Sequence, residues 1–197
     1  MIDPNFVIVG AVIGFFGGIS YLIDTLKGKT KPNKVTWFLW SLAPLIAFAA
    51  ELNKGVGIQS LMTFMVGFSP LLIFLASFVN KKSYWKLSRL DYSMGLLSLT
   101  GVVLWIALGE GNYAIFFGVL ADFLAAVPTI VKSFNFPETE NYWIFLAYMI
   151  SSGLTIFTID IWNFAHYGFP VYIFAVTTVL FTLIKFKLGK YITARIA

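Results

Sequence analysis

Apolar residues in this chain neither alternate with polar ones nor form a narrow stripe; they run on for long stretches separated by short loops of Lys, Pro, Gly and Asn. A helix needs about 20 such residues to cross the hydrocarbon core of a bilayer. Breaks at Pro, Gly and charge clusters predict seven spans, at Asn5–Leu26, Val35–Leu52, Gly57–Val79, Leu90–Leu108, Tyr113–Phe134, Tyr142–Asp160 and Phe169–Leu188. The expected class is all-α, a polytopic membrane protein with seven transmembrane helices.

One phrase occurs twice. Tyr21-Leu22-Ile23-Asp24-Thr25-Leu26-Lys27 leads through Lys31-Pro32-Asn33-Lys34 into Trp37-Phe38-Leu39-Trp40. Later, Pro128-Thr129-Ile130-Val131-Lys132-Ser133-Phe134 leads through Pro137-Glu138 into Tyr142-Trp143-Ile144-Phe145. Each copy closes one apolar run, crosses a polar loop containing Pro and opens the next run with aromatics. Repetition inside a hydrophobic chain points to a transporter with its site between similar halves.

Composition supports the membrane reading. Of 197 residues, 59% are hydrophobic and 12% charged, against about a quarter charged in soluble domains. Cysteine is absent, which excludes disulfides, thiolate nucleophiles and Cys-ligated metals. The amino terminus has Asp3 in place of a basic region, so the first run is expected to stay as a helix and not to be cleaved. The net charge of +5 comes from lysines gathered in loops, which reads as topology and not as a nucleic-acid surface.

Lysine and arginine are retained on the cytoplasmic side during insertion. The loop after the first span carries Lys27, Lys29, Lys31 and Lys34, that after the third Lys81, Lys82, Lys86 and Arg89, and the tail Lys185, Lys187, Lys190 and Arg195. The loops after the second, fourth and sixth spans offer Lys54 against Glu51, Glu110, and Asp160 with His166. This alternation predicts an outside amino terminus and a cytoplasmic carboxyl terminus, in a prokaryotic cytoplasmic membrane. The first and fifth spans then run the same way, so the two copies are parallel repeats.

With Val127-Pro128-Thr129-Ile130-Val131-Lys132-Ser133, the following Pro137-Glu138, and the partner stretch from Tyr21 to Trp37, the chain resembles the SWEET/SemiSWEET and PQ-loop superfamily of small transporters. The resemblance implies two triple-helix bundles joined by a linker helix: residues 1–82, a linker at 83–110, and residues 111–197. It also implies alternating access with prolines as hinges, here Pro44 and Pro128, because Pro removes a backbone donor and bends a helix. Sugar-carrying members place an Asn in the third helix of each bundle; the third and seventh spans here hold Thr63, Ser69, Thr177 and Thr178 but no mid-membrane Asn.

Asp122 is the strongest polar signal, lying mid-span among apolar residues. A carboxylate there costs several kcal/mol unless hydrated, paired or protonated, so it is a candidate for proton coupling and substrate binding; the structural alternative is a packing hydrogen bond to a neighbouring helix. Tyr148, Ser151 and Ser152 form a hydroxyl cluster in the sixth span, either for a polar solute or for close helix packing. Trp40 and Ser41 occupy the related part of the second span, and Thr63 and Thr177 are the hydroxyls of the third and seventh. Trp37, Trp40 and Trp143 read as an interfacial belt or as a cavity wall. Gly10, Gly14, Gly17 and Gly18, with Gly118 and Ala121, form small-residue faces for helix crossing. Asp24 beside Lys27 suits an exposed ion pair.

No Walker loop, paired-His spacing or Gly-x-Ser-x-Gly is present, and the single His, His166, falls in a loop without a second ligand. No enzyme activity, metal or cofactor is expected. The expected partners are the lipid bilayer and a small polar solute, with no nucleic acid and with a homo-oligomer left open. A membrane-embedded receptor or assembly factor, or a channel, are the alternatives for the same fold.

Overall fold

The computed structural model describes residues 2–108 and 111–196; Glu110, counted above in the loop after the fourth span, lies outside them. The architecture is all-α, with helices α1 (Phe6–Leu26), α2 (Lys34–Asn53), α3 (Ser60–Ala76), α4 (Arg89–Leu108), α5 (Gly111–Asn135), α6 (Tyr142–Thr158), α7 (Phe164–Lys185) and α8 (Leu188–Ile196). Single 3-10 turns at Lys81–Ser83 and Pro137–Thr139 shape two of the loops. Four helical segments, Phe6–Leu26, Lys34–Asn53, Ile115–Asn135 and Phe164–Lys185, are long and apolar enough to cross a bilayer, and the chain is a transmembrane helical protein. The third and sixth predicted spans are shorter than expected, 17 residues each in α3 and α6.

Local chemistry sets the helix ends. Asn33, Asn141 and Asn163 stand in extended backbone before α2, α6 and α7, and each side chain accepts a backbone N–H of the first turn. The cap at Asn163 starts α7 five residues ahead of the expected Phe169, so His166 belongs to the first helical turn and not to a loop. Helices α1 and α2 end alike. Gly28 and Gly55 adopt φ of +75° and +73°, and the residue after each returns an N–H to the helix, Lys29 to Asp24 and Val56 to Glu51. That left-handed turn favours glycine.

Packing orders the helices α1–α3–α2 and α5–α7–α6, with α1 against α6, α2 against α5, and α4 against α5 and α2. Related pairs recur at one constant offset, the one that carries Asn33 onto Asn141. Tyr148 of α6 lies over Gly14 of α1, where a Cβ would stand 3.0 Å from the ring. At the offset positions, Trp40 of α2 donates its indole N–H to the Asp122 carbonyl of α5 at 3.3 Å. Gly17 meets Ile144 and Ala147 so closely that a Cβ would collide with Ala147, and its counterpart Ala125 accepts the Thr36 hydroxyl at 2.8 Å. In this register Trp37 falls opposite Phe145, about one turn away from the alignment that matching the aromatics suggests.

The outer faces are apolar: Phe16, Leu75, Leu96, Val103, Ile106 and Phe157 each expose more than half their surface. Polar side chains, among them Asn33, Glu51, Asp91, Asp122, Lys132 and Glu140, are buried instead. This distribution suits a hydrocarbon solvent, in which polar groups find partners only inside the protein.

Candidate functional site

Side chains of α2, α5, α6 and α7, with Val66 and Pro70 of α3, line a central cavity of about 40 Å³, room for about three waters. Of the residues expected at a site, Trp40, Asp122, Tyr148 and Thr177 line it, together with Trp37 and Phe145. The walls are mainly aromatic. Trp37 meets Trp40 at 5.3 Å and 84°, and Trp40 meets Phe145 at 6.3 Å and 71°.

Asp122 is 2% exposed and has one paired oxygen. Its Oδ2 accepts the Tyr172 hydroxyl of α7 at 2.6 Å, while Oδ1 is buried with no hydrogen-bond partner. None of the cavity-lining residues carries a positive charge. A carboxylate so placed lacks the pairing that makes burial of its charge tolerable, which gives it a use for a proton or a cation.

The backbone around Asp122 is held from outside its own helix. Pro128 has no N–H to offer the preceding turn, and α5 carbonyls above it are taken by neighbours: Ala121 by Ser98 at 2.6 Å, Asp122 by Trp40, and Ala125 by Thr36. The carbonyl that Pro128 leaves without its helical donor is that of Leu124, so these bonds tie α5 to α2 and α4 around the interruption. In α3, Tyr148 donates to the Met65 carbonyl at 2.6 Å, in the turn before Pro70. Pro44 is buried within α2 and is not among the residues lining the cavity.

Several expected site residues lie elsewhere. Ser41 donates to Phe38 of its own helix, and Ser152 to Tyr148. Ser151 packs against Gly10, with its hydroxyl buried and unpartnered. Thr63 donates to Glu51 Oε1 at 3.0 Å, away from the cavity. Thr177 reaches the cavity but spends its proton on the Ile173 carbonyl at 2.6 Å.

Of the three tryptophans considered for a belt or a cavity wall, Trp143 is 52% exposed, while Trp37 and Trp40 face inward at 1% and 7%. Trp37 lies against Tyr21 with ring centroids 4.6 Å apart.

The lysine-rich end is closed by a network that the sequence reading missed. Lys132 of α5 pairs with Glu140 at 2.6 Å with both side chains buried. Tyr21 of α1 donates to the other Glu140 oxygen at 2.6 Å. Lys132 also donates to the Lys31 carbonyl and stands 4.6 Å from the Trp85 ring centre. Asn33 donates to the buried Asp91 of α4. Asp24 accepts Asn141 at 2.7 Å and pairs with Lys29 at 3.6 Å, in place of the expected Lys27.

At the opposite end Glu51, counted above among loop charges, is buried in the last turn of α2 with Oε2 unpartnered. Among the described residues no group of three or more His, Asp or Glu side chains could hold a metal ion.

A helical transmembrane protein with a central cavity and a half-paired carboxylate is the class that fold and site define. Comparison with known proteins adds no closer identity: no family model, no curated protein and no solved structure matches the chain.

Proposed function

We propose that this protein is a transporter of the SWEET and PQ-loop kind, moving a small solute by alternating access through the cavity at Asp122. The observation that carries the reading is the Asp122 carboxylate itself, buried between helices from both copies of the repeat with one oxygen unpartnered. The parallel 3+1+3 arrangement, with α4 as linker, is supported by the matching helix orders and by the offset pairs Tyr148·Gly14 and Trp40·Asp122. The amino terminus faces outside and α8 the cytoplasm, following the lysine distribution.

In this reading the present state is closed at the lysine-rich end by Lys132, Glu140 and Tyr21, and opening breaks those bonds while α5 bends at Pro128 and α3 at Pro70. Transport is proton-linked, since the charge at Asp122 needs a balancing proton whenever no other cation is present. Tyr172 bonds to it and Tyr148 is the other titratable group lining the cavity, while α2 and α4 bring Trp40 and Ser98, neither of them titratable, against its turn.

The test is solute uptake into liposomes with and without an imposed pH gradient. Gradient-driven, saturable uptake is expected, with its dependence on pH lost in Asp122→Asn; a wild-type protein without flux of any solute tried under either condition sinks the reading. The cysteine-free chain also permits a direct test of topology. Single cysteines replacing Lys54 and Lys86 should be labelled by an impermeant maleimide from opposite sides of the membrane.

A further inference from the structure

We infer that the solute taken by the Asp122 cavity is a small organic cation, such as a short alkylammonium ion. This rests on the transporter reading and names its substrate class. The argument is a count of what the cavity can offer. Asp122 supplies one acceptor oxygen without a partner, and Trp37, which also lines the cavity, one indole N–H without a partner. Trp40 spends its N–H on the Asp122 carbonyl, Tyr148 its hydroxyl proton on Met65, and Thr177 its own on Ile173. A sugar would bring several hydroxyls into this space and leave most of them without partners, and each such group is costly once water is excluded. An ammonium group asks for the reverse: one negative oxygen and aromatic faces.

The rings of Trp37, Trp40 and Phe145 meet at 84° and 71°, so they present both faces and edges around the space, and a cation against a ring face is attracted by the ring quadrupole. No lysine or arginine lines the cavity to compete for the carboxylate.

The balance of charge follows. With the cation absent, a proton neutralises Asp122; when R–NH3+ binds, that proton leaves to water and the carboxylate pairs with the ammonium. One proton is exchanged for one cation, and the occupied and empty sites carry the same net charge.

The test uses the purified full chain in detergent micelles with ethylammonium, ethanol and glucose as probes, read by thermal stabilisation and by tryptophan fluorescence. Saturable ethylammonium binding is expected, with the isosteric ethanol and glucose at least tenfold weaker. Asp122→Asn should weaken ethylammonium at least tenfold, and Phe145→Leu severalfold, the second variant serving if the first does not fold. The inference is overturned if ethylammonium does not bind, if ethanol or glucose binds equally well, or if both variants retain wild-type affinity for the amine.

Liposome flux separates this inference from the reading beneath it. Amine binding without uptake of the amine leaves the cation site standing and removes the carrier. Saturable glucose uptake without amine binding does the opposite.

Discussion

Glu140 and Asp122 are both buried carboxylates, yet the protein treats them in opposite ways. Glu140 has a cation on one oxygen and a phenol on the other, and Lys132 is itself shared with a backbone carbonyl and an indole ring. Asp122 has a phenol on one oxygen and nothing on the other. A fully satisfied buried pair resists change, because removing either member strands a charge away from water. A half-satisfied one stores an unmet demand, which a proton or a ligand can answer. The lysine-rich end is built to hold, and the cavity is built to accept.

The contrast breaks most visibly at Lys132. Lys132→Met should destabilise the protein by about 3–5 kcal/mol, since it leaves Glu140 buried without its counter-charge, and the double variant with Glu140→Gln should recover part of the loss. Unfolding in mixed micelles measures both, and a Lys132→Met protein as stable as wild type would remove the distinction drawn here.

Tyr172→Phe deletes the hydrogen bond to the Asp122 carboxyl and should cost about 1–3 kcal/mol in the same assay. Asp122→Asn keeps a carbonyl oxygen for Tyr172, so its stability should stay within about 1 kcal/mol of wild type while the pH dependence of uptake flattens. A large loss of stability together with retained pH dependence would instead assign Asp122 to packing.

The smallest effect belongs to the surface pair of Glu138 and Lys190, 2.8 Å apart and half exposed on both sides. The hydrogen bond from Lys190 holds the Glu138 carboxyl below its ordinary value. Because the folded value is the lower one, the pair contributes at neutral pH and its contribution fades as pH falls through that lowered value. Lys190→Ala should return Glu138 toward the ordinary carboxylate range in an NMR titration and change stability by less than about 1 kcal/mol.

Much of the fold was legible in the chain. The ends of α1, α2, α4, α5 and α6 fall within two residues of the expected spans, because Pro, Gly and Asn act on the backbone within a turn of where they occur. Asp122 was conspicuous for a similar reason, as a charge inside an apolar run. The short α3 and the early start of α7 were not legible, since apolar residues continue past the last helical turn in one case and precede Gly168 and Pro170 in the other. The burial of Lys132 and Glu51 was not legible, because each sits near a helix end, where a charge normally reaches water. The signal for Lys132 was its place one turn below Pro128, still within the span; for Glu51 it was Thr63 across the turn.

Helix positions, their approximate lengths and the depth of one carboxylate were thus set by the order of residues alone, because each depends on neighbours a few positions away. Which face of each helix turns inward was not. Lipid and protein interior are equally apolar, so hydrophobicity does not tell Trp37, fully buried, from Trp143, half exposed. Only the packing of α1, α2, α5, α6 and α7 decided that Lys132 meets Glu140, that Tyr172 meets Asp122, and that one oxygen of Asp122 is left over. Those pairings join residues far apart in the chain, and they form only when helices that carry no local record of one another are brought together.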